Sequence, residues 1–447
     1  MLKTNHIKVS LCALALAAAA LISFTGCKQN SLKGAVVQIG HWWGAFDTET
    51  YQARNEAEEQ QLELRIKIQR DNGITIREVE LSGYGEYLEE VINRIITGNK
   101  EISTYIVQSD WAYSLYKQGL LYPVSDSKVN ISNTVPVQGE KTAYMEIMAK
   151  LFTFDGKQYA FAPGTAAGGW HGNGIYFNKR LLSEAGLDPN LPYDMQKDGT
   201  WTWDNFLTFA KRLTRDIDND GIVDIYAGAD NSSLGMFVIS NYAEFVGRDA
   251  NGRFINATNT PGFIEALQFY KQMIDEGVLK LPPDGAAWDW HCSDFFDGKV
   301  AFIMDAEWRK GQFGEMIDDW GFVFPPKGPR AADYRVGYTP SVHIIPSIFS
   351  PQEVDVILTA VDLWNIPISG GDDWKQGHYN FYRDRRAVDE TLTMMGDPHY
   401  LVFLNEAMIP GLQTGDFAWA VRDMNDPSQL IETNSQYWDI LISEANQ

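Results

Sequence analysis

Gly174-Ile175-Tyr176-Phe177-Asn178-Lys179-Arg180-Leu181-Leu182-Ser183-Glu184-Ala185-Gly186-Leu187 passes from a strand-like run straight into a helix. Gly174 to Phe177 carries β-favouring side chains, and Asn178 to Ala185 forms a short helix closed by Gly186. A strand that feeds a helix without an intervening loop is half of a βα unit, and its neighbours repeat the grammar. Downstream, Thr202 is placed as the N-cap of a helix over Trp203 to Thr214, with Phe206, Phe209, Ala210 and Leu213 on one side. Gly262 to Glu276 is a second amphipathic helix, stopped by Gly277. Val342 to Ile345 is strand-like, and Ser350-Pro351-Gln352-Glu353 opens a helix with capping-box spacing. Upstream, Ala35 to Ile39 is a short strand that stops at Gly40, and Asp47 to Gln61 is polar and helix-prone. Ile74 to Val79 alternates like a half-buried strand. In Tyr84 to Thr97, Tyr87, Val91 and Ile95 recur at helical spacing before Gly98, and Thr104 to Val107 is again a strand. Strands alternating with helices predict an α/β architecture with parallel strands.

The first residues carry a different message. Lys3 and Lys8 form a basic head, Leu11 to Phe24 is apolar, and Thr25-Gly26-Cys27 ends the run. This is the pattern of an export signal, and the apolar run is shorter than the ~20 residues a spanning helix requires. Small residues before the Cys resemble the bacterial lipobox. That resemblance implies lipidation of Cys27, with Phe24 where the motif usually has Leu. Residues 1–26 are therefore expected to be a signal peptide, and 27–33 a polar tether to the membrane.

Removing residues 1–26, which hold two Lys and no acid, takes the formal charge from −22 to −24. A surface this acidic repels phosphate backbones and excludes nucleic acid as a partner. Of the three Cys, Cys12 lies in the signal and Cys27 in the lipobox, which leaves Cys292 without an intrachain disulfide partner. The fold must rest on its core, and a chain 45% hydrophobic can build one in two or three domains.

Several stretches together are similar to the family 1 extracellular solute-binding proteins, the sugar-binding group that includes maltose-binding proteins. They are Asp155 to Pro163, Ile175 to Lys179 with Ala185 to Leu187, Thr200 to Phe206, Phe296 to Phe302, and Glu307-Trp308. The resemblance runs from about Val36 to Trp364, and His378 to Met395 falls outside its pattern. It implies a two-lobed periplasmic-binding-protein fold of type II, each lobe a mainly parallel sheet flanked by helices, joined by hinge crossings. The implied division is 34–162 and 323–366 for lobe 1, and 163–322 and 367–447 for lobe 2. It also implies a non-enzymatic, monomeric lipoprotein that presents a carbohydrate, expected to be an oligosaccharide, to ABC transporter permease subunits.

A sugar offers C–H-rich faces that suit aromatic planes and a hydroxyl rim that suits carboxylates. Fourteen Trp are available. Trp42 and Trp43 follow the first strand, and Asp110 and Trp111 follow the third, where α/β sheets present ligand loops. Trp170 lies in a Gly-rich stretch after the expected crossing. Trp288 and Trp290, and Glu307 with Trp308, sit where the family places its cleft. A Trp is as often core as contact, and Trp201 and Trp203, at a helix start that the family uses for packing, are read as packing residues. His171 and His291 are read as hydrogen-bonded or surface histidines.

Asp216-Ile217-Asp218-Asn219-Asp220-Gly221-Ile222-Val223-Asp224 spaces acids like the start of an EF-hand loop, with the Ile222 carbonyl at the main-chain position. Ala227 stands where the closing Glu belongs. No cofactor is required; the expectation is a structural Ca²⁺ held by Asp216, Asp218, Asp220, Ile222 and Asp224, set against a plain solvated turn. Two rival functions remain at this level: a secreted carbohydrate-active enzyme, which needs a carboxylate pair across a cleft, and a surface carbohydrate-binding lipoprotein with no transporter.

Overall fold

The computed structural model describes residues 32–53, 56–129, 143–162, 172–231, 233–366, 375, 378–379, 381–424 and 426–447. The signal, Cys27, the tether up to residue 31, Trp170 and His171 lie outside them.

The first lobe runs β1 (Val36–His41), α1 (Glu56–Asn72), β2 (Thr75–Glu80), α2 (Tyr84–Ile96), β3 (Thr104–Gln108), α3 (Ser109–Lys117), α4 (Ala143–Leu151) and β4 (Ala160–Phe161). The second runs β5 (Asn173–Asn178), α5 (Lys179–Glu184), α6 (Trp203–Leu213), β6 (Tyr226–Ala229), α7 (Pro261–Asp275), β7 (Leu279–Lys280), α8 (Trp290–Phe296), β8 (Val300–Ala306) and β9 (Trp320–Val323). The chain then gives β10 (Val336–Tyr338), β11 (Ser341–Ile344), α9 (Pro351–Trp364), β12 (Leu401–Phe403), α10 (Gly415–Ala420) and α11 (Pro427–Ala445).

Local chemistry explains most of these elements. Tyr87, Val91 and Ile95 are the buried stripe of α2, and Trp203, Phe206, Leu207, Ala210 and Leu213 are that of α6. Each such side chain taken from water stabilises the fold by about 1.5–3 kcal/mol before entropy is counted. Ser350 and Glu353 exchange both bonds of a capping box at the start of α9. Gly98 and Gly277 take φ of 72° and 66° just beyond α2 and α7, a conformation that suits a residue without a Cβ. Helix α1 extends well past the expected end at Gln61. It is so rich in charge that its apolar period is faint, and Ile68 is its one buried hydrophobic among the described side chains.

Each lobe holds a five-stranded sheet, in the order β2-β1-β3-β11-β4 and β7-β6-β8-β5-β9. Each is mainly parallel, with four strands pointing the same way and one reversed. In the first, β11 runs antiparallel to β3 and β4, and in the second, β5 runs antiparallel to β8 and β9. The remaining ladders are parallel. The reversed strand in each sheet is the one that arrives from the other lobe. It starts at the crossing side and runs away from it, whereas the βα strands run toward it.

The sequence division assigns 323–366 to lobe 1, and the structure corrects its start. Residues 324–338 still pack on lobe 2: the Lys327 amide donates to the Trp201 carbonyl, Arg330 forms an ion pair with Glu265, and β10 pairs with β12. Only at Ser341 does the chain join the first sheet. The proline-rich turn at Phe324 to Pro329 resembles a linker in sequence but is anchored by these partners.

Candidate ligand-binding cleft

The register fixes which end of each sheet faces the other lobe. Ser341, where β11 enters lobe 1, lies opposite Gln108, the last residue of β3. Asn173, where β5 begins in lobe 2, lies opposite Ala306, the last residue of β8. The carboxyl ends of β3 and β8 therefore sit on the crossing side, and the segments that follow them, Asp110-Trp111 and Glu307-Trp308, are presented there. Ligands of α/β sheets bind at such ends.

On lobe 1, Trp43 lies flat on His41, with ring centroids 4.2 Å apart and planes 6° apart, and is 42% exposed. His41 is fully buried beneath it; its Nδ1 accepts the Trp43 amide, and its Nε2 faces Glu78 at 3.6 Å. Trp42 makes edge contacts with Trp43, Tyr84, Tyr87 and Trp111, and so serves as the packed centre of the cluster. Tyr84, which the sequence reading placed only at the start of a helix, leans on Trp111 at 5.0 Å and is 55% exposed. Asp110 sits at the start of α3. Burial raises its carboxyl to about 6, although its own amide and that of Trp111 favour the ionised form.

On lobe 2, Trp288 and Trp308 are largely exposed and both stack on the guanidinium of Arg309. Trp290 is half-buried, edge-on to His291 and near Lys280. His291 is buried and bonded to Asp305 at 2.7 Å, so it belongs to the framework rather than the surface. Cys292 packs beside it, its thiol pushed up to about 12 by burial and then by Asp305.

Glu307 is not the open ligand contact that its position beside Trp308 led us to expect. It is fully buried and pairs with Lys310 at 2.5 Å, Tyr382 at 3.1 Å and His378 at 3.3 Å. It fastens the C-terminal segment, the part outside the family pattern, to the end of β8.

The sequence reading also missed a group assembled across 190 residues. Asp230, fully buried at the end of β6, accepts from Tyr270 and from Arg422 Nε, each at 2.6 Å. Arg422 in turn stacks on Trp419, which is 46% exposed. The available signal was Trp419 and Arg422 at i, i+3 on one helical face. A separate hollow of about 450 Å³, lined by Tyr116, Lys117 and Tyr159, lies at the far end of α3 from Asp110 and takes no part in this face.

In the acidic loop, carboxylate oxygens of Asp216, Asp218 and Asp224 all lie within 4.8 Å of one another. Asp220 instead accepts the Ile222 amide at 2.8 Å, and Asp216 accepts the Gly221 amide at the same distance. Among the described residues, no helix is long and apolar enough to cross a membrane.

The profile of the bacterial extracellular solute-binding protein family matches residues 49–346. Relatives from Brucella abortus and Brucella suis, named as binding proteins without a ligand, are 24% identical over 302 residues. This match covers 64% of the chain, and the chain spans 64% of their length. Solved structures of similar fold include an ABC substrate-binding protein of Listeria monocytogenes in complex with cycloalternan. It has a TM-score of 0.61 and 14% identity, over 92% of this chain and 98% of that one. A cyclic α-maltosyl-1,6-maltose binding protein of Arthrobacter globiformis gives 0.61 and 15%, over 92% and 99%. A Mycobacterium tuberculosis protein in complex with glycerophosphocholine gives 0.64 and 15%, over 91% and 98%. With two lobes, reversed entering strands and a match over two-thirds of its length, the chain belongs to the bacterial extracellular solute-binding protein family.

Proposed function

We propose that this protein is the lipid-anchored, extracytoplasmic binding component of an ABC importer and that its cargo is a carbohydrate. The observation that carries this reading is the pairing of aromatic faces on the two crossing-side surfaces: exposed Trp43 and Tyr84 with half-buried Trp111 on lobe 1, and exposed Trp288, Trp308 and Trp419 on lobe 2. Aromatic planes take the apolar faces of sugar rings, and Asp110 takes their hydroxyls. The basic groups of the lobe 2 face are already neutralised, Arg309 by Asp305, Lys310 by Glu307 and Arg422 by Asp230. That favours an uncharged ligand over an anion. A ligand that touches both faces is held fully only when the lobes are together, so binding shifts the population toward that arrangement, which permease subunits then recognise.

The deciding measurement is a thermal-shift and calorimetry panel of mono- and oligosaccharides, with glycerophosphocholine as the non-sugar control. A saccharide that binds in the micromolar range without turnover supports the reading. Binding of glycerophosphocholine alone, or steady consumption of a saccharide, overturns it. Lipidation is read from fatty-acid labelling that disappears in Cys27→Ser, and the transporter from recovery of permease subunits with the tethered protein. The acidic loop is proposed to hold a structural Ca²⁺ through Asp216, Asp218 and Asp224, with the main chain at Ile222 and water completing the shell.

A further inference from the structure

Arg309 is the least exposed member of the most exposed part of the cleft face. It retains 2% of its surface, while Trp288 and Trp308 retain 72% and 48%. Its guanidinium carbon lies 4.2 Å from the centroid of one indole and 4.3 Å from that of the other. Those two residues come from different places: Trp288 from the loop after β7, and Trp308 from the 3-10 turn after β8.

The guanidinium is itself anchored. Arg309 Nε lies 3.1 Å from Asp305 Oδ2, and the same oxygen faces His291 Nε2 at 2.7 Å. Asp305 Oδ1 accepts the Ala306 amide at 2.6 Å. Asp305 belongs to β8 and His291 to α8, so the chain of contacts runs from the sheet, through a half-buried carboxylate, to the guanidinium and out to both indoles. Two large side chains on surface segments carry substantial rotamer freedom. A planar cation that both rings can stack on removes that freedom before the ligand arrives, which lowers the ordering cost of binding.

We propose that Arg309 is a positioning residue for ligand binding: it holds Trp288 and Trp308 as one rigid aromatic platform and does not contact the ligand itself. This rests on the carbohydrate reading given above. Its charge is committed to Asp305 and its surface is covered by the indoles, so the ligand meets aromatic carbon and not a cation. The ligand group received here is an uncharged, C–H-rich ring face. Planarity is the property in use, and Lys, which keeps the charge but not the plane, does not replace Arg here.

The test labels the protein with 5-fluorotryptophan and assigns the two ¹⁹F resonances through Trp288→Phe and Trp308→Phe. In R309K both resonances move and broaden, and affinity for the best saccharide of the panel falls at least tenfold, with the thermal midpoint within a few degrees of the wild type. Resonances that stay in place, or an affinity within twofold, overturn the proposal. Should R309K fold poorly, Trp288→Ala is read at the Trp308 resonance: a shift supports coupling through the guanidinium, and no shift overturns it. Trp288→Ala and Trp308→Ala losses that simply add also count against a shared platform. A wild type that binds no saccharide removes the functional reading together with this role. A wild type that binds while R309K binds equally well removes only the role of Arg309.

Discussion

Tyr113 donates its hydroxyl to the main-chain carbonyl of Ala445 at 2.8 Å. The donor sits in α3, whose first turn holds the candidate site residues Asp110 and Trp111, and the acceptor ends α11, which packs on lobe 2. One helix therefore carries both proposed ligand contacts and a tie between the lobes. Tyr113→Phe keeps the ring and deletes the tie, at a cost of about 1 kcal/mol. Small-angle scattering of the ligand-free variant should show a changed lobe separation. Scattering curves that superimpose on the wild type would mean the bond does not restrain the hinge.

Close to that tie, burial raises the Glu406 carboxyl to about 7, and Glu244 adds to the shift. Glu406 lies in a turn over Asn405–Met408 that packs on α3. Around it, Arg248 Nε is bonded to Asn405 Oδ1, Arg335 acts on Glu244, and Tyr113 faces Arg248. A carboxyl raised from its ordinary 4.5 favours folding most fully below 4.5, and that contribution is lost as pH rises through about 7. Glu406→Gln should raise the thermal midpoint at pH 8 and leave it nearly unchanged at pH 5. Equal effects at both values would count against a desolvated carboxyl.

Asp110, held at about 6 by burial, is ionised at pH 7.5 and mostly protonated at pH 5. A carboxylate is the stronger acceptor for sugar hydroxyls. Saccharide affinity should therefore fall severalfold between pH 7.5 and pH 5, and Asp110→Asn should be weaker at pH 7.5 and flat across the range. A wild-type affinity that does not change with pH would place Asp110 outside the contact set.

For the acidic loop, three carboxylates converge within 4.8 Å, and the proposed Ca²⁺ would relieve their mutual repulsion. Calcium should raise the thermal midpoint of chelator-treated protein by several degrees, and Asp218→Asn should abolish the rise. Metal analysis that finds none bound at millimolar calcium would leave only the capped turn formed by the Gly221 and Ile222 amides.

The amino-acid pattern by itself determined the elements. The period of Tyr87, Val91 and Ile95, the capping pair Ser350 and Glu353, and the glycines at 98 and 277 act within a few residues, so they are legible locally. It also pointed to Trp43 and Asp110, because each stands just beyond a strand, and to Trp288 and Trp308 through the resemblance to the solute-binding family. Tertiary structure alone decided the rest. Nothing within reach of Glu307 along the chain announces that Lys310 and the distant Tyr382 bury it, and nothing near Phe324 shows that lobe 2 keeps the chain until Ser341. The Asp230–Arg422–Trp419 group and the stacking of two tryptophans on Arg309 likewise join residues from separate segments. Burial and stacking depend on which surfaces meet after the chain crosses between lobes, and that is a property of the folded whole rather than of any stretch of sequence.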